Sequence, residues 1–133
     1  MFSRFSPAAR AVVTLAEQEC RNASHYFLGT EHLLLAMAIA PPPDVAEYFD
    51  KLHIEPWQVK RALRAAMGGA AEHPWEGVIV TPRVQRICEA AARAKQDAVQ
   101  PIDLLQAILE DGGGVAARVL AQLRDEAAMS RPG

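Results

Sequence analysis

The residues whose types could do chemistry are few: His25 and His32, Cys20 and Cys88, and Glu31 beside Thr30. Imidazoles can bind a metal or act as a base, but His25 and His32 are seven residues apart across a predicted turn. No third ligand follows at a fixed spacing, as a zinc site would require. His32 is therefore expected to pack at the start of a central helix, and His53 and His73, near loops, to be solvated. Cys20 and Cys88 fall in helical runs without a C-x-x-C spacing, which suits small buried hydrophobes better than a metal site or disulfide. No metal or cofactor is expected. Nothing assembles a nucleophile, a base and oxyanion donors, so no enzyme is expected either. The chain contains no G-x-x-x-x-G-K-[ST], and Gly112-Gly113-Gly114 lacks the lysine that would reach a phosphate. Recognition remains. A carboxylate such as Glu31 either complements the positive end of a helix or pairs with a guanidinium by charge-assisted hydrogen bonds.

The elements that must position these residues come in two copies. Ser6-Pro7-Ala8-Ala9-Arg10 opens one helical run and Thr81-Pro82-Arg83-Val84-Gln85 opens another, a shift of 75. Leu33-Leu34-Leu35-Ala36-Met37 returns as Leu104-Leu105-Gln106-Ala107-Ile108, a shift of 71, and at that shift Val45, Phe49 and Leu52 fall on Ala116, Leu120 and Leu123. A register held across two helices marks an internal repeat. The second copy is shorter by one helical turn, lost from its first helix or the following loop.

Local signals divide the chain. Ser6 is an N-cap and Pro7 a first helical residue, with a helix expected to about Arg21 whose stripe is Ala9, Val12, Val13, Ala16 and Cys20. Arg10 and Glu17 lie off that stripe. Thr30 is expected to cap a helix from Glu31 to Ala40, apolar nearly all round and therefore central, stopped by Pro41-Pro42-Pro43. Helices follow over about 44–51 and 56–67, then a Gly-rich linker over 68–80 ending in the extended piece Val78-Ile79-Val80. Trp75 to Val80 carries large apolar side chains and is expected to fold back onto the first helices. Thr81 caps a helix to about Gln96, Pro101 starts one to about Glu110, and Val115 one to about Leu123. The tail 125–133 is expected to be disordered around Met129 to Gly133.

This is one domain over 1–133, repeat one 1–67 and repeat two 81–124, all-α with about seven to eight helices in a pseudo-twofold tandem. Half the residues are apolar and few are aromatic, which favours helices packed closely. The net charge of −2, with both signs interspersed, argues against a nucleic-acid or anionic-membrane partner. The first residues lack the pattern of a signal peptide, and Leu33 to Ala40 is too short to span a bilayer. A cytoplasmic monomer is expected.

Met1-Phe2-Ser3-Arg4-Phe5-Ser6, Leu28-Gly29-Thr30-Glu31-His32-Leu33-Leu34-Leu35, Thr81-Pro82-Arg83 and Gly114-Val115-Ala116-Ala117-Arg118-Val119-Leu120 together resemble the N-terminal "Clp repeat" domain of bacterial ClpC/ClpA-type AAA+ unfoldases. The resemblance covers the chain to about Leu123. It implies a free-standing, non-catalytic module that captures adaptors, substrates or phosphoarginine-tagged proteins. It further implies that Glu31, with Thr30 beside it, contacts a phosphoarginine guanidinium. Ile102 stands at the matching place of repeat two, so one such pocket is expected rather than two. Phe2, Arg10 and Val13 are implied in a surface for adaptors or cyclic peptides. Val80 stands where some relatives carry an aromatic. The alternative is a decoy that sequesters cyclic peptides or competes with an unfoldase for its ligands.

Overall fold

The computed structural model describes residues 3–70 and 77–130. Its elements are α1 (Pro7–Asn22), β1 (Phe27–Leu28), α2 (Thr30–Ile39), α3 (Pro43–Lys51), α4 (Pro56–Ala66), β2 (Ile79–Val80), α5 (Pro82–Arg93), α6 (Pro101–Asp111) and α7 (Val115–Ser130). The repeat is real: α1, α2 and α3 correspond to α5, α6 and α7. α1 has 16 residues and α5 has 12, so the missing turn was lost from the helix itself. α5 ends at Arg93, three residues short of the expected Gln96, and the Arg4 guanidinium takes up carbonyls left at its end. That guanidinium donates to the Ala92 carbonyl at 2.6 Å, and also to those of Lys95 and Asp97.

α2 is the centre. Every residue from His32 to Ala38 is buried, as a helix without a polar face must be. α1, α4, α6 and α7 pack around it. Leu33, Leu34, Leu104, Leu105 and Ile108 join Phe49 and Leu63 in one core. Each such side chain contributes on the order of 1.5–3 kcal/mol on burial.

The halves are joined by exchanged segments. The lead-in to α1 pairs with the lead-in to α6: Ser6 N–H donates to the Val99 carbonyl at 2.9 Å and Val99 N–H to the Arg4 carbonyl at 2.8 Å. The lead-in to α5 pairs in the same way with the lead-in to α2, forming the parallel β1–β2 pair with Phe27 opposite Ile79 and Leu28 opposite Val80. The expected fold-back of the linker's end is thus a strand at Ile79–Val80, and the connection after α1 contains its partner. Trp75 and Glu76 lie outside the described residues.

Helix starts are shared too. Ser6 and Thr81 cap their own helices, accepting from Ala9 and Val84 N–H at 3.1 and 3.2 Å. Thr30 does not cap α2, contrary to expectation. Gly29 is the N-cap, and Thr30, one residue further on, turns its buried hydroxyl to α7, where it accepts from Ala116 N–H at 3.3 Å. A Cβ at Gly114 would lie 2.5 Å from that oxygen, so glycine there lets the two repeats meet. In return, Asp44 of α3 accepts from Ile102 N–H of α6 at 3.0 Å.

Another correction concerns α7, which continues past Leu123 to Ser130. Nothing between Arg124 and Ser130 breaks a helix, Gln122 donates to Glu126 one turn on, and α4 packs alongside. Met129 and Ser130 are therefore helical; residues 131–133 lie outside the described residues.

His25 and His32 form a hydrogen-bonded chain whose direction is set at its ends. Gly29 N–H donates to His32 Nδ1 at 3.0 Å, so His32 carries its proton on Nε2 and donates to His25 Nδ1 at 2.9 Å; His25 Nε2 then donates to the Gly68 carbonyl at 2.8 Å. Repeat two solves the same problem with charge: Asp103 accepts from Gln100 N–H and from Lys95 Nζ, both at 2.8 Å. A proton added to His32 would land on Nδ1 and oppose the Gly29 N–H. Burial holds the His32 pKa below its ordinary 6.5, His25 adds to the depression, and the charge of Glu31 opposes it.

Two expectations follow. Thr30→Val leaves Ala116 N–H buried without an acceptor and should cost about 1–2 kcal/mol, and Asp44→Ala about 1 kcal/mol, read as lowered urea midpoints. An unchanged midpoint in both would refute the exchanged caps. The unfolded chain takes up the His32 proton first, so stability is complete above pH 6.5 and declines as pH falls below it. Urea midpoints between about pH 7.5 and pH 5.5 should show this decline, with a shallower slope in His32→Asn.

Candidate binding surface

On α1, Arg10, Val13, Thr14 and Glu17 follow helical spacing and share one face. With Ser3 they line an open groove of about 380 Å³. Val13 is buried and forms its apolar edge. Arg10 is exposed and anchored: Nε donates to the Phe5 carbonyl at 3.2 Å and Nη2 to the Ser3 carbonyl at 3.1 Å. Two of its five donors thus hold the N-terminal segment against α1.

The sequence-predicted residues are partly gathered here. Arg10 and Val13 line the groove, whereas Thr30, Glu31 and Val80 do not. Phe2 lies outside the described residues. Thr30 is 3% exposed and its hydroxyl is engaged with α7. Val80 is half-buried in β2, where its carbonyl accepts from Gln85 Nε2 at 3.1 Å. Glu31 is half-buried, and its carboxylate folds back over Gly29, where a Cβ would collide with Oε1. It has no hydrogen-bond or ion-pair partner among the described residues. In repeat two Ile102 takes its place, and the neighbouring carboxylate, Asp103, is already engaged by Lys95.

Ser3, Thr14 and Glu17 were not singled out from the sequence. The spacing of Thr14 and Glu17 from Arg10 was the available signal. Ser3 is held at the groove by its carbonyl's bond to Arg10 and by the Phe5–Val99 pairing that follows it.

The thiols belong to the core. Burial pushes the Cys20 pKa up, with a further rise from the charge of Glu31, and burial pushes Cys88 up to about 12. A thiol so held is not a nucleophile at neutral pH. Among the described residues, no group of three or more His, Cys, Asp or Glu is placed to hold a metal ion, and no helix is long and apolar enough to cross a membrane.

Comparison with known proteins identifies the family. Residues 4–123 match the family described as Clp repeat (R) N-terminal domain. ClpC/MecB of Bacillus subtilis is 28% identical over 127 residues, which are 92% of this chain and 16% of that protein. Chloroplastic ClpC1 of Oryza sativa is 30% identical over the same share of this chain and 14% of its own length. The chain thus spans about one sixth of the curated relatives it matches. In structure, the N-domain of ClpV from Vibrio cholerae superposes with a TM-score of 0.78 at 15% identity, covering 96% of this chain and 85% of that one. The Hsp104 N-terminal domain from Candida albicans gives 0.74 at 18%, covering 96% and 84%. A ClpV N-domain in complex with a VipB peptide gives 0.74 at 17%, covering 93% and 79%. With the exchanged lead-in strands and the family match over nearly its whole length, the chain belongs to the Clp repeat N-terminal domains.

Proposed function

We propose that this domain captures segments of adaptor or substrate proteins for a Clp-type unfoldase, on the face made by α1 and the start of α2. The observation that carries this reading is the α1 groove, with an apolar edge at Val13 and a cation at Arg10 fixed by backbone carbonyls. Such a cation contacts a ligand with less loss of side-chain freedom than a mobile one. Phe2, outside the described residues, is proposed as a further apolar contact for such a ligand. The solved complex of a ClpV N-domain with a VipB peptide supports peptide binding as the general activity.

Glu31 is the second element of the proposal. A half-buried carboxylate with no described partner is suited to a guanidinium, and phosphoarginine in a partner protein offers one. Thr30 then acts by position, since its hydroxyl is engaged, and Val80 supplies an aliphatic wall. Only repeat one is proposed to hold such a ligand, because Ile102 removes the carboxylate from repeat two.

Calorimetric titration of a phosphoarginine peptide should show binding to the wild type and a loss of about tenfold or more in Glu31→Ala. Equal affinity in the two proteins would exclude the pocket. Glu31→Ala should leave thermal stability within about 0.5 kcal/mol of wild type, the range of surface substitutions that remove no structural contact. Arg10→Ala should weaken adaptor binding and also lower stability, since it removes the hydrogen bonds that Arg10 gives to the Ser3 and Phe5 carbonyls; a variant that lowered stability alone would reduce Arg10 to a structural residue.

A further inference from the structure

Two other grooves bear on one another through the repeat. Ala117, Arg118, Leu120, Ala121 and Arg124 of α7 line a cleft of about 390 Å³. Ala46, Glu47, Phe49, Asp50 and His53, on α3 and in the turn after it, line a cleft of about 570 Å³. These five pairs are related by the shift of 71, so the same face of the equivalent helix is hollowed in both halves. The apolar positions are kept: alanine faces alanine, and Phe49 faces Leu120. The polar positions differ: one pair reverses sign, one loses its carboxylate and one replaces a histidine by an arginine. Glu47 becomes Arg118, Asp50 becomes Ala121 and His53 becomes Arg124, while Glu55 adds a further carboxylate to the first cleft.

The α7 cleft is also furnished for a ligand with an apolar part. Tyr48 of α3, Leu52 just after it and Leu109 of α6 form its other walls, each only partly buried, and no carboxylate lines it. Arg118 and Arg124 are exposed, and neither side chain has an ion pair or hydrogen bond among the described residues. In the α3 cleft, by contrast, Glu47 is paired with Lys51 at 3.2 Å. Six residues of helix put the two arginine Cα atoms about 9 Å apart along the axis. That is roughly the span of three residues of extended chain.

We propose that the α7 cleft docks an acidic, aliphatic-rich segment of a partner protein, with carboxylates on Arg118 and Arg124 and an aliphatic side chain against Leu52, Leu109 and Leu120. The proposal shares the reading of the domain as a protein-binding module but does not depend on the α1 groove or on Glu31. The α3 cleft is its internal control, since it shares the alanine and Phe49/Leu120 positions but is lined by Glu47, Asp50 and Glu55 where the α7 cleft has Arg118 and Arg124.

The test is fluorescence anisotropy at low salt with a labelled peptide carrying Glu-Leu-Leu-Glu and its counterpart carrying Lys-Leu-Leu-Lys. The acidic peptide should bind the wild type, weaken as salt is added, and lose about tenfold or more in R118E/R124E while E47K/D50K leaves it unchanged. All four substituted side chains are exposed, and circular dichroism should show both variants folded. Binding of the acidic peptide that survives R118E/R124E, equal binding of the basic peptide to the wild type, or no binding at all would each overturn the proposal. A dimer abolished by R118E/R124E, without peptide binding, would make the occupant a second copy of this chain and overturn it as well. The phosphoarginine titration uses a different peptide and Glu31→Ala, so either site can fail alone.

Discussion

A helix start packed against another helix leaves amide N–H groups that water cannot reach, and each must find an acceptor or cost the fold about 1–3 kcal/mol. In this protein the two halves meet at such starts. Thr30 of the first half accepts from Ala116, and Asp44, also of the first half, accepts from Ile102. The geometry that α2 and α6 can adopt is thereby fixed: each must begin where its neighbour's third helix begins. The glycine at 114, the proline-terminated start of α3 and the parallel pairing of the lead-in segments all serve that meeting point.

Much of the scaffold was legible because its causes are local. Ser6-Pro7 and Thr81-Pro82 announce helix starts through a hydroxyl and a proline within three residues of one another, and the continuous apolar run from Leu33 announces a helix with no wet face. The four-residue difference between repeats was legible as one turn, though only the structure assigns it to α5. What escaped was what depends on distant chain. The acceptor role of Thr30 cannot be read from its neighbours, because Ala116 is 86 residues away. The extension of α7 beyond the expected end near Leu123 depends on packing that spacing does not show: Ala127 lies against the core.

The binding surface divides in the same way. Arg10, Val13, Thr14 and Glu17 are one helical face and follow from spacing, whereas Ser3 joins them through tertiary bonds, its carbonyl to Arg10 and the Phe5–Val99 pairing beside it. Glu31 was legible as an acid at a helix start, but its lack of a described partner appears only in three dimensions. The neighbouring histidines show how a symmetric backbone can carry different chemistry. One half ties its loop to the helix start through two imidazoles, and burial lowers the pKa of His32; the other uses Lys95 and Asp103, an ion pair sensitive to salt.

The exchanged lead-in strands also bear on how the molecule is made. In a stacked repeat protein each unit contacts only its neighbour, and units can be added or removed almost independently. Here the lead-in to α1 lies beside the lead-in to α6, and Arg4 closes the end of α5, so residues 4 to 6 complete structure some ninety positions further along the chain. Neither half holds all of its own pairing partners. The repeat is consequently one cooperative folding unit with long loops to close, and its folding rate should be limited by bringing the chain's beginning to its second half rather than by forming its helices.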